Sequence, residues 1–476
     1  MRPHRQEILT AGKEFFLQNM TKGRPLSLIL TFAFPLLLGN LLQQTYSLAD
    51  TAIVGRFLGA GPLAAVGATA SVQFLVLGFA NGTCAGLGIP MARDFGAGDL
   101  PRMRRVIYNA VILMAATALV LTAGSVLLTD EILRILNIPA EIYADTKAYI
   151  LIIFLGIPAT LLYNFAATIL RAIGDSRAPF IFLALSALLN IVLDIFCIAV
   201  LHTGCAGTAA ATVVSQAVSG AVSMMYIVKQ YPVLHFAKNE KRVAPLIMRE
   251  LALMAYPMGL QFSITAIGSM VMRAANNALG SVYVSAMTAA ARIKQFAMCP
   301  FDAMGSAVST FVSQNDGADK GRRTRDGLIF GARISIAYGF VIGLVMIFFG
   351  RELSLLFVGE EETAILDASA RYLMGNGVFY WVLAILNVVR PTVQSLGHTS
   401  RAMFAGVLEM IARTVVCTVF VPRYGFDVIC IADPIAWIMA AAFVVIVARR
   451  DIDAAVERSN ERRAKYYRQI GVAMPR

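Results

Sequence analysis

Charge is what this sequence has least of. Asp, Glu, Lys and Arg make up 15% of its 476 residues, against 58% hydrophobic ones, and the mean hydropathy is +0.69. A soluble chain of this length carries far more polar surface, so a set of ordinary soluble domains is excluded. No CxxC pair occurs among the six cysteines (Cys84, Cys197, Cys205, Cys299, Cys417, Cys430), which mostly fall in or beside apolar stretches. There they read as small hydrophobes, and neither a metal nor a redox centre gains support. The first 26 residues hold Arg2, Arg5, Lys13, Lys22 and Arg24 but lack the short apolar core and small-residue site of a cleavable signal. The first span is therefore expected to act as its own signal anchor. Polar–apolar alternation is also missing from the apolar runs, which excludes barrel strands and leaves helices as the spanning structure.

What is present is a series of apolar stretches of roughly 20 residues, enough to cross about 30 Å of hydrocarbon. Breaks at Pro, Gly and charge clusters predict spans at 27–56, 63–91, 106–128, 146–170, 178–201 and 207–228. A second set is predicted at 250–278, 284–313, 327–350, 366–390, 402–421 and 428–448. Pro35, Pro90, Pro158, Pro257, Pro300 and Pro391 lie in or at the ends of these helices, where they could kink them. Alternate connections separate by charge. "MARDFGAGDLPRMRR", "RAIGDSR", "KQYPVLHFAKNEKR", "NDGADKGRRTR", "RPTVQSLGHTSR" and both tails hold most of the 41 Lys and Arg; "GAGP", "TDEILRILNIPAEIYAD", "HTGCAG" and "RELSLLFVGEEE" are short or acidic. The positive-inside rule puts the basic set and both termini in the cytoplasm. Topology and anionic headgroups thus account for the net charge of +12, and no nucleic-acid partner is expected.

The two halves resemble each other at an offset of 221. "FLGAGPLAAVGATA" from Phe57 matches "ALGSVYVSAMTAAA" from Ala278, and "DFGAGDLPRMRR" from Asp94 matches "NDGADKGRRTRD" from Asn315. With a small shift, "LRAIGDSRAPF" from Leu170 echoes "VQSLGHTSRAMF" from Val393. An even number of spans per half gives the repeats one shared orientation. The fold read from the sequence is all-α integral membrane, with twelve transmembrane helices in two six-helix lobes related by a pseudo-two-fold along the membrane normal. Its parts are a cytoplasmic segment 1–26, an amino-terminal lobe 27–230, a cytoplasmic linker 231–249, a carboxy-terminal lobe 250–448 and a cytoplasmic tail 449–476. The tail, "ARRDIDAAVERSNERRAKYYRQ", reads as a solvated helical extension. Two bundles facing one another around a central cavity make a transporter architecture.

A charge at mid-membrane costs at least ~2.5–3.5 kcal/mol, so each one requires a reason. In the first half Asp50 follows Tyr46 by four residues, and "ALLNIVLDIFCI" places Asn190 and Asp194 on one helical face. Thr212 in "GTAAATVVSQ" lies on the next helix, and Gln43 and Asn164 are further polar groups nearby. Asn or Ser would join helices more cheaply than Asp, so the two acids point to function. Two carboxyls in a low dielectric cannot both stay ionised cheaply and should take up and release a proton as a unit. Their hard oxygens, with those of Asn, Thr and Tyr, suit H⁺ or Na⁺ rather than a soft metal. The second half shows different intramembrane charges: Arg273, Arg292, Lys294, Arg333, Glu409 and Arg413, with Glu409 and Arg413 spaced as a structural ion pair. The 21 Met and the Phe residues could line a cavity for amphipathic ligands, though most Met read as core or lipid-facing.

The chain resembles the bacterial branch of the multidrug and toxic compound extrusion (MATE) transporters from about Pro25 to Arg449. The resemblance is carried by "LADTAIVGRFLG", "ARDFGAGD", "LRAIGDSRAPF", "LNIVLDIFCI", "GTAAATVVSQ", "STFVSQNDGADK" and "QSLGHTSRAMFAGVLEMIAR", specific in this order and spacing. It implies alternating-access export of cationic or amphipathic compounds in exchange for H⁺ or Na⁺. It places the cation-coupling site on Tyr46, Asp50, Asn190, Asp194 and Thr212, with Gln43 and Asn164 in the substrate cavity. A second branch uses acids on helices 7 and 10; here helix 10 has only Asp367 at its edge, so that site looks absent. The chain is accordingly expected to be no enzyme, to need no cofactor or metal beyond the coupling ion, and to work as a monomer among the lipids of a bacterial inner membrane. The rival readings are a flippase for lipid-linked saccharides, favoured by the Arg273–Lys294 region, and an intramembrane aspartyl protease, disfavoured because neither acid stands in a YD or GxGD context.

Overall fold

The computed structural model describes residues 19–136 and 138–469. The remainder of the amino-terminal segment and of the tail lies outside the described residues. Helices α1 (Pro25–Leu58), α2 (Ala60–Ala97), α3 (Leu100–Leu127), α4 (Thr129–Ile135), α5 (Ala140–Leu155), α6 (Ile157–Ala172), α7 (Arg177–Ala199) and α8 (Gly204–Gln230) make the first half. The second comprises α9 (Pro245–Asn277), α10 (Ser281–Gly317), α11 (Gly321–Ser354), α12 (Thr363–Gly377), α13 (Tyr380–Ser395), α14 (Thr399–Val415), α15 (Val421–Tyr424) and α16 (Phe426–Gln469). The twelve sequence spans are all found. Among the described residues nine helices are long and apolar enough to cross a membrane; two more spans are broken pairs, α5–α6 bent by 43° and α12–α13 by 53°. The twelfth span is α10, 37 residues long but too polar to register by hydropathy.

Pro158 stands just inside the start of α6, at the first break, where a missing N–H costs nothing. The second break, after Gly377, has no proline; Pro35, Pro90, Pro257, Pro300 and Pro391 lie inside helices that continue through them. A single turn of π-helix, Val416–Phe420, joins α14 to α15. The linker is shorter than 231–249, because Pro245 opens α9 five residues before the predicted span. The tail is helical but only partly solvated. Ile452, Ala455 and Ser459 are buried against the second half, and Arg401 reaches Asp451 at 2.5 Å.

The repeat is visible in the turns. Gly98 closes α2 in the left-handed region (φ 73°), and Asp99 then caps α3 through the Arg102 N–H at 3.1 Å. At the equivalent position Asp319 takes φ 54°, a conformation that glycine and Asp tolerate. Arg102 reaches back to Asp94 at 2.6 Å, and Arg323 to Asn315 at 3.0 Å. Gly174 and Gly397 likewise share a left-handed turn, with φ 89° and 93°.

Two large apolar cores follow the two lobes, but the first helix of each half crosses over. Ile29, Phe32, Ala33 and Leu36 of α1 belong to the core of the second lobe, whereas Leu251 and Ala255 of α9 belong to that of the first. The remainder of each helix returns to its own lobe. This exchange ties the lobes together at the end that carries the basic connections, called here the basic end.

Candidate functional site

The acid pair sits in the first lobe, toward the end opposite the basic one. α1 supplies Asp50 and Tyr46, α7 supplies Asn190 and Asp194, and α8 supplies Thr212. Asp194 and Asn190 are fully buried and Asp50 partly so. The Asp50 and Asp194 carboxyls are neighbours, near enough to feel each other's charge. Asn190 Nδ2 donates to Thr212 Oγ1 at 3.3 Å, while Thr212 donates to the Thr208 carbonyl at 3.0 Å. Four oxygens lack any hydrogen-bond partner: Asp50 Oδ1, both carboxyl oxygens of Asp194, and Asn190 Oδ1. Unpaired buried oxygens of this kind are costly, and a shared proton or a small hard cation would satisfy them. Tyr46 lies beside the pair, as does Tyr149 on α5, which the sequence did not single out.

The structure brings the five coupling candidates together, and Gln43 and Asn164 make no contact with them among the hydrogen bonds of the described residues. Asn164 spends its amide on the Thr160 carbonyl of its own helix at 2.8 Å, a local bond that needs no ligand. Gln43 is exposed on α1.

The second lobe holds a different charge cluster at membrane depth. Asp433 of α16, 2% exposed, is clamped between Lys294 of α10 and Arg413 Nε of α14, the latter at 2.8 Å. Tyr372 Oη donates to the same carboxyl at 3.0 Å, and Lys294 lies 5.1 Å over the Trp437 ring. Glu409 receives Arg390 at 2.6 Å and Arg413 at 3.5 Å. The expected Glu409–Arg413 pair is therefore real but is the longer arm of a six-residue network. Sequence reading passed over Asp433, a charge in the apolar run "CIADPIAWIM", and counted Arg390 with the basic connection "RPTVQSLGHTSR", whereas it lies inside α13 and pairs with Glu409. Asp367 pairs with Arg351 at 3.1 Å, both exposed, far from this cluster in chemistry as in burial.

The lobes meet through equivalent residues of the repeat. A Cβ on Gly96 would stand 1.9 Å from the Gln314 carbonyl oxygen, and one on Gly317 would stand 1.9 Å from that of Arg93. Gln314 Nε2 donates to the Ala172 carbonyl at 2.9 Å, and Arg93 Nη2 to the Ser395 carbonyl at 3.4 Å. Each contact is the image of the other under the offsets of the repeat, as expected where two like surfaces pair about a two-fold. Met20 and Thr21 add to the closure by bonding Gln314, Asn315 and Lys320. The basic end is thus shut by backbone-to-backbone packing, with the acid pair at the other end of the bundle.

A duplicated twelve-helix bundle, closed at one end, with an unsatisfied acid pair in one lobe, defines a membrane transporter of the two-lobe class. Its family follows from comparison with known proteins. The MatE family model matches residues 35–196 and 257–419, one block in each lobe, and the chain belongs to that family. It is 28% identical over 395 residues to the probable multidrug resistance protein YpnP of Bacillus subtilis, covering 82% of this chain and 87% of that one. It is 25% identical to an FAD transporter of Shewanella oneidensis, with 80% and 85% covered. A solved structure described as the outward-facing conformation of a multidrug resistance MATE transporter superposes with a TM-score of 0.87 at 21% identity, over 93% of this chain and 99% of that one. That likeness establishes the fold.

Proposed function

We propose that this chain is a secondary antiporter that exports cationic or amphipathic compounds by alternating access, driven by H⁺ or Na⁺ entering through Asp50 and Asp194. The observation that carries the reading is the set of four donorless oxygens on Asp50, Asp194 and Asn190 within one lobe of a MatE-family transporter. The names of its relatives as multidrug resistance proteins favour the same cargo.

On this reading the basic end faces the cytoplasm of a bacterial inner membrane. The closed lobes then correspond to the state open outward. A cation arriving from outside would bridge Asp50 and Asp194, draw α1 toward α7, and favour release of cargo. Coupling requires that ion and cargo bind the two states with different affinity. One charge moved down 100 mV supplies about 2.3 kcal/mol. No resident cofactor is needed, and the functional unit is a monomer in lipid.

The flippase reading leans on free basic groups in the Arg273–Lys294 region; Asp433 holds the Lys294 ammonium, which leaves Arg273 and Arg292 as the groups that would serve it. The protease reading gains no support, because neither acid stands in a YD or GxGD context. The test is ethidium efflux from vesicles holding the purified chain, with pH and Na⁺ gradients imposed separately. Efflux that follows one gradient supports antiport and names the ion. Efflux indifferent to both would overturn it, and lipid scrambling in its place would favour the flippase.

A further inference from the structure

Helix α10 is the one span that hydropathy misses, and the reason lies along a single stripe. Its exposed or half-exposed polar positions include Ser281, Ser285, Thr288, Arg292, Gln295, Asp302, Ser306 and Thr310, spaced three, four or seven apart, while most of its other residues are buried. Such a spacing traces one face of a helix. A polar stripe of this length does not face lipid; it lines water. On its other sides α10 packs against α11, α12 and α13, and it meets α1 and α2 of the opposite lobe, so the stripe borders the cleft between lobes.

Near the middle of that stripe stands Asp302, about 22 Å from the basic end of the helix. Asn40 of α1 donates to the Cys299 carbonyl at 3.3 Å, one turn away, which marks this depth as the place where the opposite lobe comes alongside. The cations packed deeper in the second lobe are committed, while Arg292 lies on the same stripe ten residues from Asp302 and makes no ion pair among the described residues. Lys294 and Arg413 hold Asp433, and Arg390 and Arg413 hold Glu409. Arg390 is near enough to Asp302 to feel its charge, but its closest contact is the 2.6 Å bond to Glu409. Asp302 is the acid of this lobe's membrane core that is exposed and makes no ion pair among the described residues. The repeat offset places Asn81 of α2 at the equivalent position, and it too is exposed.

We infer that Asp302 is the counter-charge for the cargo: the carboxylate, with Asn81 opposite it, receives the positive centre of a lipophilic monocation in the cleft. At the depth of Asp302 the arrangement disfavours an anionic cargo, because Arg390, the cation near it, already serves the buried Glu409 carboxylate. It also separates two tasks by lobe, with the driving ion on Asp50 and Asp194 and the cargo on Asp302. The inference rests on the export reading above and adds the residue that would select cargo by charge.

The experiment is equilibrium binding to the purified full chain in nanodiscs, using tetraphenylphosphonium as the cationic probe and an uncharged lipophilic dye as control. Asp302→Asn should weaken the cation by about tenfold or more, the scale of one charge-assisted contact, and leave the neutral dye unchanged. Asp302→Glu should keep most of the cation affinity. Unchanged tetraphenylphosphonium binding in Asp302→Asn would overturn the inference, as would equal loss of both probes, which marks a general collapse. A wild-type chain that bound neither probe and showed no gradient-driven efflux would overturn the export reading itself, a result distinct from failure of Asp302 alone.

Discussion

The two lobes share a scaffold and differ in how they treat a buried acid. Their turns, their crossing first helices and their meeting at Gly96 and Gly317 repeat almost residue for residue. At membrane depth the likeness ends. The first lobe leaves the oxygens of Asp50, Asp194 and Asn190 without donors, whereas the second gives Asp433 a lysine, an arginine and a tyrosine. An unpaired carboxyl pair changes its energy whenever a proton or cation arrives; a carboxylate held by two cations does not. Duplication therefore supplies the frame of the machine, and divergence of charge divides a responsive half from a fixed one.

The largest effect that can test this division is on transport. Asp50→Asn and Asp194→Asn should each abolish gradient-driven efflux while leaving the chain folded, since an amide needs no counter-ion in the same space. Efflux by Asp50→Asn equal to wild type at every pH would end the assignment. Melting of these variants should match wild type or rise, because a costly unpaired acid has gone.

The second lobe should answer in the opposite sense. Arg413→Met takes from Asp433 and Glu409 the one cation they share, leaving Asp433 with Lys294 and Glu409 with Arg390, and breaking such a buried network costs up to about 3–5 kcal/mol. A large fall in melting temperature is the expected result; Glu409→Gln should fall less, since Arg390 and Arg413 lose only one partner. If Arg413→Met melted like wild type while Asp194→Asn unfolded, the roles given to the lobes would have to be exchanged.

Much of the first lobe's site was legible because it is local in the sequence. Tyr46 with Asp50 and Asn190 with Asp194 are each one turn apart, so helical spacing alone puts them on a face, and the cost of an acid in oil gives them a purpose. The second lobe hides its site by distance. Lys294 and Asp433 lie on helices 139 positions apart, and no periodicity pairs them. Asp302 and Asp433 were nonetheless visible as charges within apolar stretches, a signal that needed only to be applied evenly to both halves. The crossing of α1 and α9 into opposite cores was not legible, since an apolar face states that it will be covered but not by which lobe. The glycines of the repeat gave a partial hint: Gly96 and Gly317 occupy matched positions, but only packing shows that each faces the other half's backbone.

That shared contact gives the next prediction, where the lobes should behave alike. Gly96→Ala and Gly317→Ala each put a Cβ 1.9 Å from a carbonyl oxygen that belongs to a helix and cannot swing aside. The helices must part at the basic end, at a cost of about 1–3 kcal/mol. Hydrogen exchange should speed up around residues 93–98 and 314–318 in both variants, and by similar amounts. Protection lost in one variant alone would show that the two-fold likeness of the closure is geometric but not energetic.

The smallest effect lies in the linker, outside the membrane. Arg104 Nε bonds Glu240 at 2.7 Å, and that hydrogen bond, with help from the Ala237 N–H, holds the Glu240 carboxyl below its ordinary value of 4.5. A carboxyl whose folded value is depressed contributes stability that is fully present above the unfolded value and is lost as pH falls through the folded one. The linker should therefore loosen only below about pH 4.5, and Glu240→Gln should remove that acid dependence while costing ~1 kcal/mol or less at neutral pH. Hydrogen exchange of residues 232–244 across an acid series reads both outcomes. Because Arg104 belongs to α3 and Glu240 to the strap entering α9, loosening here would unpin the strap from the first lobe without touching either buried acid site. Efflux that kept its gradient dependence in Glu240→Gln would show that the division of labour between the lobes does not depend on the strap that joins them.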